Sequence, residues 1–381
     1  MSWNKKLLGD FAPFVYGKGL PKEKRIAGNV PVYGSNGVVG FHNQPLLNEP
    51  AVIIGRKGSV GEIHLTAGPS WPIDTTFYAE SNNEADLDFL FFLLQTLPLK
   101  SNSDSAVPGL SRDYAHSLEV FVPEKPMQVC IGSILKSIDS KIQSNRSVSE
   151  TLEEIAQTIF KSWFIDFDPV KAKMAGQKPV GMDDVTAALF PDSMEETELG
   201  LIPAGWSVST LKEFAPFIYG KALKADSRQE GTVPVYGSNG VVGFHNDSLT
   251  SSPAVIIGRK GTVGTVNLCW QPAWVIDTGF FSIPADVSDV YLTYFSLKTL
   301  GLEKMNSDAA VPGLNRDEAH RQRIIIGDAA IRKQFSEVAE LLFAQVNNLQ
   351  EQSKLLSETR DRLLPRLISG ELQIPEEMLA S

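Results

Sequence analysis

The stretch Val30-Pro-Val-Tyr-Gly-Ser-Asn-Gly-Val-Val-Gly-Phe-His-Asn43 recurs without change as Val233 to Asn246. Identity over that length means that one piece of structure is built twice, and it constrains the architecture more than any other feature. Pro50-Ala-Val-Ile-Ile-Gly-Arg-Lys-Gly58 returns as Pro253 to Gly261, Phe14-Val-Tyr-Gly-Lys18 as Phe217-Ile-Tyr-Gly-Lys221, and Trp71-Pro-Ile-Asp-Thr75 as Trp274-Val-Ile-Asp-Thr278, all displaced by 203 residues. Val107-Pro-Gly-Leu-Ser-Arg112 and Val311-Pro-Gly-Leu-Asn-Arg316 are displaced by 204, so one residue has been inserted between the blocks. A unit of about 120 residues is too long for a solenoid repeat and has the size of a domain.

Each repeat gives way to a different pattern. Ile131, Leu135, Ile138, Ile142, Leu152, Ala156, Ile159 and Trp163 follow the first, and Ile331, Phe335, Val338, Leu342, Leu349, Leu356 and Leu363 follow the second. Steps alternating between three and four are a coiled-coil seam. Asn145 and Ser149 interrupt the first seam, and Gln345, Gln352 and Thr359 are expected to interrupt the second; polar seam residues cost stability but fix register and partner. About 40 residues at ~1.5 Å each make a rod of roughly 60 Å. Pro365 should kink or end the second helix near its last turns. Between the halves, Pro169, Gly176, Pro179 and Gly181 break regular structure, and an acidic stretch runs to Gly200. The expected order is a first domain over 1–123, a helix over 124–168, a linker over 169–200, a second domain over 201–326 and a helix over 327–375. Inside each domain the signals are β-like, as in Val52-Ile-Ile54 and Val60-Gly-Glu-Ile-His-Leu65, with buried helices over Asp86 to Leu97 and Ser288 to Leu300. The fold class is α+β: two similar mixed α/β domains and two long helices.

With 43% hydrophobic and 21% charged residues among 381, the chain has ample material for such cores. It contains no run of about 18 apolar residues, so no membrane span is expected, and no signal-like stretch follows Met1. Cys130 and Cys269 give neither a disulfide framework nor metal-ligand spacing, and a reducing cytosol is the default reading. The net charge of −10 speaks mildly against nucleic acid. The local field matters more, however, and much of the acid lies outside the repeats, at Glu195, Glu196, Glu198, Glu376 and Glu377.

Chemistry concentrates in a few repeated loops. In Gly55-Arg-Lys-Gly-Ser-Val-Gly61 and Gly258-Arg-Lys-Gly-Thr-Val-Gly264, Arg56 and Arg259 have the fork that grips phosphate or reads guanine O6 and N7. Lys57 and Lys260 are point charges beside the hydroxyls of Ser59 and Thr262. The bland alternative is a surface hairpin with solvated charges. Tyr33-Gly-Ser-Asn36 and Tyr236-Gly-Ser-Asn239 offer aromatic faces at Tyr33 and Tyr236, hydroxyls at Ser35 and Ser238, and amides at Asn36 and Asn239 that match adenine N6 and N7. Asn-Gly is equally a hairpin turn. Lys18 and Lys221 suit phosphate. Arg112 and Arg316 either touch phosphate or pair with Asp113 and Asp317. Trp71, Asp74, Trp274 and Asp277 read as structural, and His42 and His245 as satisfied, partly buried histidines. The glycine loops are neither a Walker loop nor a dinucleotide fingerprint. No amino-methyltransferase Asn-Pro-Pro-Tyr or Asp-Pro-Pro-Tyr segment, nuclease pattern or nucleophile elbow is present, so no catalytic residue and no metal ligand is assigned.

Ile155-Ala-Gln-Thr-Ile-Phe-Lys-Ser-Trp-Phe-Ile-Asp-Phe-Asp-Pro-Val170, Glu198-Leu-Gly-Leu-Ile-Pro-Ala-Gly-Trp206 and Arg362-Leu-Leu-Pro-Arg-Leu-Ile-Ser-Gly-Glu-Leu372 resemble the specificity subunit of type I restriction–modification enzymes. The resemblance extends over nearly the whole chain. It implies that each repeat is a target-recognition domain gripping one half of a split site in double-stranded DNA, and that the long helices pack as an antiparallel coiled coil which spaces the domains about a pseudo-twofold axis. It implies two modification (methyltransferase) subunits as partners, optionally two restriction subunits, no membrane, and a cytoplasmic location. No cofactor is expected in this chain; S-adenosylmethionine, ATP and Mg²⁺ are expected in the partner subunits. Two such similar readers should take half-sites close to inverted repeats, with Gly19-Leu-Pro-Lys-Glu-Lys24 against Ala222-Leu-Lys-Ala-Asp-Ser227 breaking the symmetry. The competing readings are a helical scaffold that binds only protein and a stand-alone DNA-modifying enzyme.

Overall fold

The computed structural model describes residues 3–100, 109–251, 253–305 and 313–375. Glu376 and Glu377, and the Val-Pro pairs that open the two Pro-Gly-Leu turns, lie outside the described residues. The chain divides into two compact units, Met1–Ser147 with Leu349–Ser381, and Val148–Asn348.

In the first unit β1 (Asn4–Leu7) pairs antiparallel with β9 (Glu119–Val122), which ties the two ends of the domain together. After α1 (Leu8–Phe11) come β2 (Val15–Tyr16), β3 (Val30–Gly34), β4 (Gly37–His42), β5 (Ala51–Gly55), β6 (Ile63–Leu65), β7 (Trp71–Pro72) and β8 (Thr76–Glu80). They form an antiparallel sheet in the order β2-β8-β5-β6 and a smaller one in the order β4-β3-β7, whose β3–β7 pair is parallel. The β-branched run Val52-Ile53-Ile54 fills a central strand that is buried along its whole length. It packs with Phe11, Phe77, Phe89 and Leu93 into one core. Asp86 caps α2 (Leu87–Gln95) by accepting from Phe89 N at 3.0 Å. The last helix of the domain, α3 (Arg112–Ser117), is capped by Ser111.

From β9 the chain enters α4 (Lys125–Phe164), 40 residues long. The segment expected as a linker is folded: α5 (Asp168–Met174) and α6 (Asp184–Leu189) precede a hairpin of β10 (Met194–Thr197) and β11 (Gly200–Pro203). The breakers act here as punctuation. Pro169 sits in the first turn of α5, where no amide donor is needed, and Asp183 caps α6. Apolar side chains at Phe167, Val170, Phe190 and Ile202 then join the core of the second unit.

That unit repeats the first, with β12 (Ser207–Thr210) paired to β20 (Arg323–Ile326). Between them run α7 (Leu211–Phe214), β13 (Ile218–Tyr219), β14 (Val233–Gly237), β15 (Gly240–His245), β16 (Ala254–Gly258), β17 (Val266–Cys269), β18 (Trp274–Val275), β19 (Gly279–Ser282), α8 (Val290–Thr299) and α9 (Arg316–His320). The sheet orders β13-β19-β16-β17 and β15-β14-β18 match those of the first unit. The second long helix, α10 (Ala329–Ile368), is also 40 residues long. It continues through Pro365 for three residues; with its end so near, the proline costs only the last turn's regularity.

Each unit contains a stretch of both long helices. In the first, Arg360 Nη1 of α10 donates to Asp139 Oδ1 of α4 at 2.7 Å. Asn145 is buried and reaches the carbonyl of Leu349 at 3.5 Å, while Ile131 clusters with Leu367 and Ile368. Partners that descend along α10 as one climbs α4 make the pair antiparallel. In the second unit Phe160, Trp163 and Phe164 pack around Phe335 with centroids 5.3–6.1 Å apart. The expected seam of α4 is the packed one. On α10 the correction is that Gln345, Gln352 and Thr359 lie on the exposed face. The buried line runs through Ala339, Phe343, Val346 and Leu349 instead. The aromatic contacts of α8 pull Phe343 inward, which a strict heptad count does not foresee. Among the described residues, no helix is long and apolar enough to cross a membrane.

Candidate nucleic-acid interface

Four separated segments of the first unit converge at one end of β5. Arg56 N and Lys57 N both donate to Thr75 O, at 2.9 and 3.1 Å, and Leu110 N donates to Arg56 O at 2.9 Å. An isolated bridge joins Lys57 to Gly109. The second unit repeats this, with Arg259 N and Lys260 N on Thr278 O at 2.8 and 3.1 Å, Leu314 N on Arg259 O at 2.8 Å, and Lys260 bridged to Gly313. Glycine is required where the loop closes on itself, since a Cβ at Gly55 would sit 2.1 Å from Ser59 O and one at Gly258 2.2 Å from Thr262 O. The turn leaves Lys57 exposed and Lys260 half-buried, 3.9 Å from an Asp277 carboxylate oxygen; Ser59 is half-buried and Thr262 exposed.

The tip of the β3–β4 hairpin rests on this loop. Ser35 is buried, and its one hydroxyl proton is shared between the carbonyls of Lys57 and Thr75, so it holds the loop from inside. His64 Nε2 lies 3.4 Å from Ser35 O. In the second unit Thr265 donates its hydroxyl to the carbonyl of Ser238, and Asn267 occupies the place of His64. Asn36 and Asn239, one residue further on, are exposed. Tyr33 packs against a small core of Leu47, Ala51 and Ile53, and Tyr236 against Ile256, Cys269 and Val275. Burial pushes the hydroxyls of both tyrosines above their ordinary range.

In each unit two arginines gather on a tyrosine that the sequence alone did not single out. Tyr16 is 45% exposed and carries the guanidinium carbons of Arg56 and Arg112 at 4.9 and 5.0 Å from its ring centroid. Tyr219, 47% exposed, carries those of Arg259 and Arg316 at 4.9 and 4.7 Å. Phe77 and Phe280 support the two rings from below at 4.9 Å. The contacts of Arg112 with Asp113 and of Arg316 with Asp317 are loose, at 3.9 and 3.5 Å. Both Lys18 and Lys221 are exposed, and their backbones are pinned by Trp71 Nε1 and Trp274 Nε1, which donate to the lysine carbonyls at 2.8 and 2.9 Å. The tryptophans are therefore structural. So are His42 and His245, whose Nδ1 atoms accept from Ile26 N and Gln229 N at 3.0 Å. Each domain thus brings an Arg–Tyr–Arg cluster, a lysine loop and an Asn-bearing hairpin tip together.

The sequence model of the type I restriction modification DNA specificity domain matches residues 1–154, the first repeat and most of its helix. A type I restriction enzyme specificity subunit of Haemophilus influenzae is 27% identical, with 75% of this chain and 77% of that protein covered. Another, from Methanocaldococcus jannaschii, is 24% identical over 76% of this chain and 70% of its own length. Over most of its length the chain is similar to type I specificity subunits. Its fold is shared with the crystal structure of the S subunit of a type I restriction–modification system from M. genitalium, with a TM-score of 0.62 and 18% identity over 98% of this chain and 97% of that one. Specificity subunits are DNA-recognition components of type I systems, and recognition rather than catalysis is the task of this one. Among the described residues, no three His, Cys, Asp or Glu side chains are grouped to hold a metal ion.

Two further residues of this specificity subunit escaped sequence reasoning. His116 Nε2 accepts from Phe14 N at 2.8 Å, and His320 Nε2 from Phe217 N at 2.8 Å. Each ties the helix that starts with Arg112 or Arg316 to the strand that carries Tyr16 or Tyr219. Their recurrence at matching places in the two repeats was the one available signal.

Proposed function

We propose that this specificity subunit reads a bipartite duplex target, one half with each unit, and that the two halves are close to inverted repeats. The observation that carries the reading is the duplicate Arg–Tyr–Arg cluster with its lysine loop and hairpin tip. The same residue types come from the same elements, at distances that agree within a few tenths of an ångström. Like surfaces bind like sequences. In this scheme Asn36 and Asn239, with Lys57 and Lys260, face base edges, while Ser59, Thr262, Lys18 and Lys221 meet the backbone. Tyr33, Tyr236, Ser35 and Ser238 position the hairpin tip. Departures from symmetry arise where the units differ, at His64 against Asn267 and at Lys22-Glu23-Lys24 against Ala225-Asp226-Ser227.

The paired helices set the number of base pairs between the half-sites and dock two modification subunits, with two restriction subunits joining in systems that cleave. S-adenosylmethionine, ATP and Mg²⁺ belong to those partners. The net charge of −10 is no obstacle, because the cations are local to the reading surface. Selection from randomised duplexes by the complex of this chain with its modification subunit tests the reading. Enrichment of two short blocks at a fixed spacing is expected; recovery of unenriched sequence contradicts it.

A further inference from the structure

We propose that in each unit the two arginines stacked on one exposed tyrosine close on a single backbone phosphate of the target DNA and read no base. The pairs are Arg56 with Arg112 on Tyr16, and Arg259 with Arg316 on Tyr219. The assignment rests on the DNA-reading function above and divides the labour within that surface.

The first reason is charge. Two guanidinium groups, 4.9 and 5.0 Å from one ring centroid, lie within about 10 Å of each other, a span that one phosphate group can bridge. The ring face offsets part of their repulsion, but among the described residues no carboxylate grips either one closely. Arg56 donates Nη1 to a backbone carbonyl, that of Asp74, at 3.3 Å, and Arg259 does the same to Asp277 O at 3.0 Å. Asp113, the acid nearest Arg112, is 3.9 Å away with a side chain 94% exposed. A chain with net charge −10 has acid to spare. Here it leaves a cationic pair for an anion from outside.

The second reason is the geometry of the donors. Guanine is read by two parallel N–H groups of one guanidinium. Arg56 and Arg259 have already committed Nη1, and the Nε atoms of Arg112 and Arg316 are enclosed, without an acceptor. Among the described residues each arginine keeps one two-donor edge, and two such edges around one ring offer more donors than the O6 and N7 of a single guanine accept. The two non-bridging oxygens of a phosphodiester suit that arrangement.

The third reason is the comparison of the repeats. Tyrosine and both arginines are the same in each unit, while the groups around the hairpin tip change, from Glu62 and His64 to Thr265 and Asn267. A phosphate is the same at every sequence and requires such constancy, which Asn36 and Lys57 also show and which by itself does not separate phosphate from base.

Affinity of the complex with the modification subunit, measured across a salt series on cognate and unrelated duplexes, tests the assignment. The double variants R112Q/R316Q and R56Q/R259Q should each weaken cognate and unrelated DNA by the same factor. Each should lower the slope of log K against log salt by less than about 1.8, since the arginine that remains still touches the phosphate, and leave the selected motif unchanged. The quadruple variant should lose about 1.8 in total, that is ~0.9 for each of two phosphates. A quadruple loss of about 3.6, ~0.9 for each of four phosphates, overturns the shared phosphate. An unchanged slope with relaxation at one motif position overturns the assignment in favour of base reading. Both double variants should melt at the same temperature as the unsubstituted chain, which separates loss of charge from loss of fold. If the unsubstituted complex shows no sequence preference, it is the DNA-reading function itself that fails.

Discussion

The imidazole of His116 accepts the backbone N–H of Phe14 at 2.8 Å, so it must be unprotonated at Nε2 for α3 to stay docked on β2. Burial, and next the charge of Arg112, hold its pKa below the ordinary 6.5, against weaker opposite pulls from Asp113 and Asp10. His320 is held down in the same way by burial and by Arg316. A histidine whose folded pKa is depressed binds fewer protons folded than unfolded. Its contribution is therefore complete above about pH 6.5 and is lost as the pH falls through the folded pKa. Melting temperature against pH should fall on the acid side of 6.5, and H116Q/H320Q should flatten that limb. At pH 8 the variant should be less stable by about 1–3 kcal/mol per orphaned amide.

Ser35 joins two carbonyls, those of Lys57 and Thr75, through its one hydroxyl proton. Ser35→Ala removes this shared bond and leaves the chain ends of β5 and β8 less firmly held, at a cost of about 1–3 kcal/mol. The expected signature is local: faster amide exchange at Lys57 and Thr75 with little change at Phe89 in α2. Equal acceleration throughout the unit would contradict a loop-specific role.

The two stretches of helix pairing are built differently. In the first unit the contact of α4 with α10 includes an ion pair of Asp139 and Arg360, both about a third exposed, beside the apolar cluster of Ile131, Leu367 and Ile368, whereas in the second it is made by Phe160, Phe335 and Phe343. Exposed ion pairs contribute about 0–1 kcal/mol, whereas truncating a buried phenylalanine costs about 3–5 kcal/mol. Phe343→Ala should therefore lower the unfolding midpoint of the second unit far more than Arg360→Ala lowers that of the first. Amide exchange along α4, read separately on each side of Ser147, makes the comparison.

Where the repeats differ, the half-sites should differ too. His64 lies beside the hairpin tip in the first unit, and Asn267 takes its place in the second. His64→Asn should bring the two preferred half-sites closer to exact inversion without weakening the rest of the motif. Selection from randomised duplexes checks it, and a motif altered in the half read by the second unit would contradict it.

Much of this was legible in the residues because repetition and burial leave strong marks. The duplication defined the domains, the β-branched run at Val52-Ile53-Ile54 defined a central strand, and the three–four steps through Ile131 to Trp163 defined the first long helix. The glycine loop with Arg56 and Lys57 was visible because only glycine allows so close a turn. What escaped was decided by tertiary contacts. Tyr16 and His116 gain their roles from partners about forty to a hundred residues away. Phe343 turns inward for the aromatic residues of α8, and that rotates Gln345 and Gln352 outward. The segment after Phe164 looked like a linker because its breakers are dense, yet Phe167 and Phe190 had apolar surface to bury and folded it onto the second unit. Ser35 looked like a donor to DNA, but its hydroxyl is committed to two carbonyls inside the loop.

The most direct test of the central claim is to co-express this chain with its modification subunit in a methylation-free host and map methyladenine by single-molecule sequencing. A bipartite motif with nearly inverted halves, absent when this chain is omitted, is the predicted result. Two unrelated half-sites, or no new methylation although both proteins are made and associate, would contradict the account.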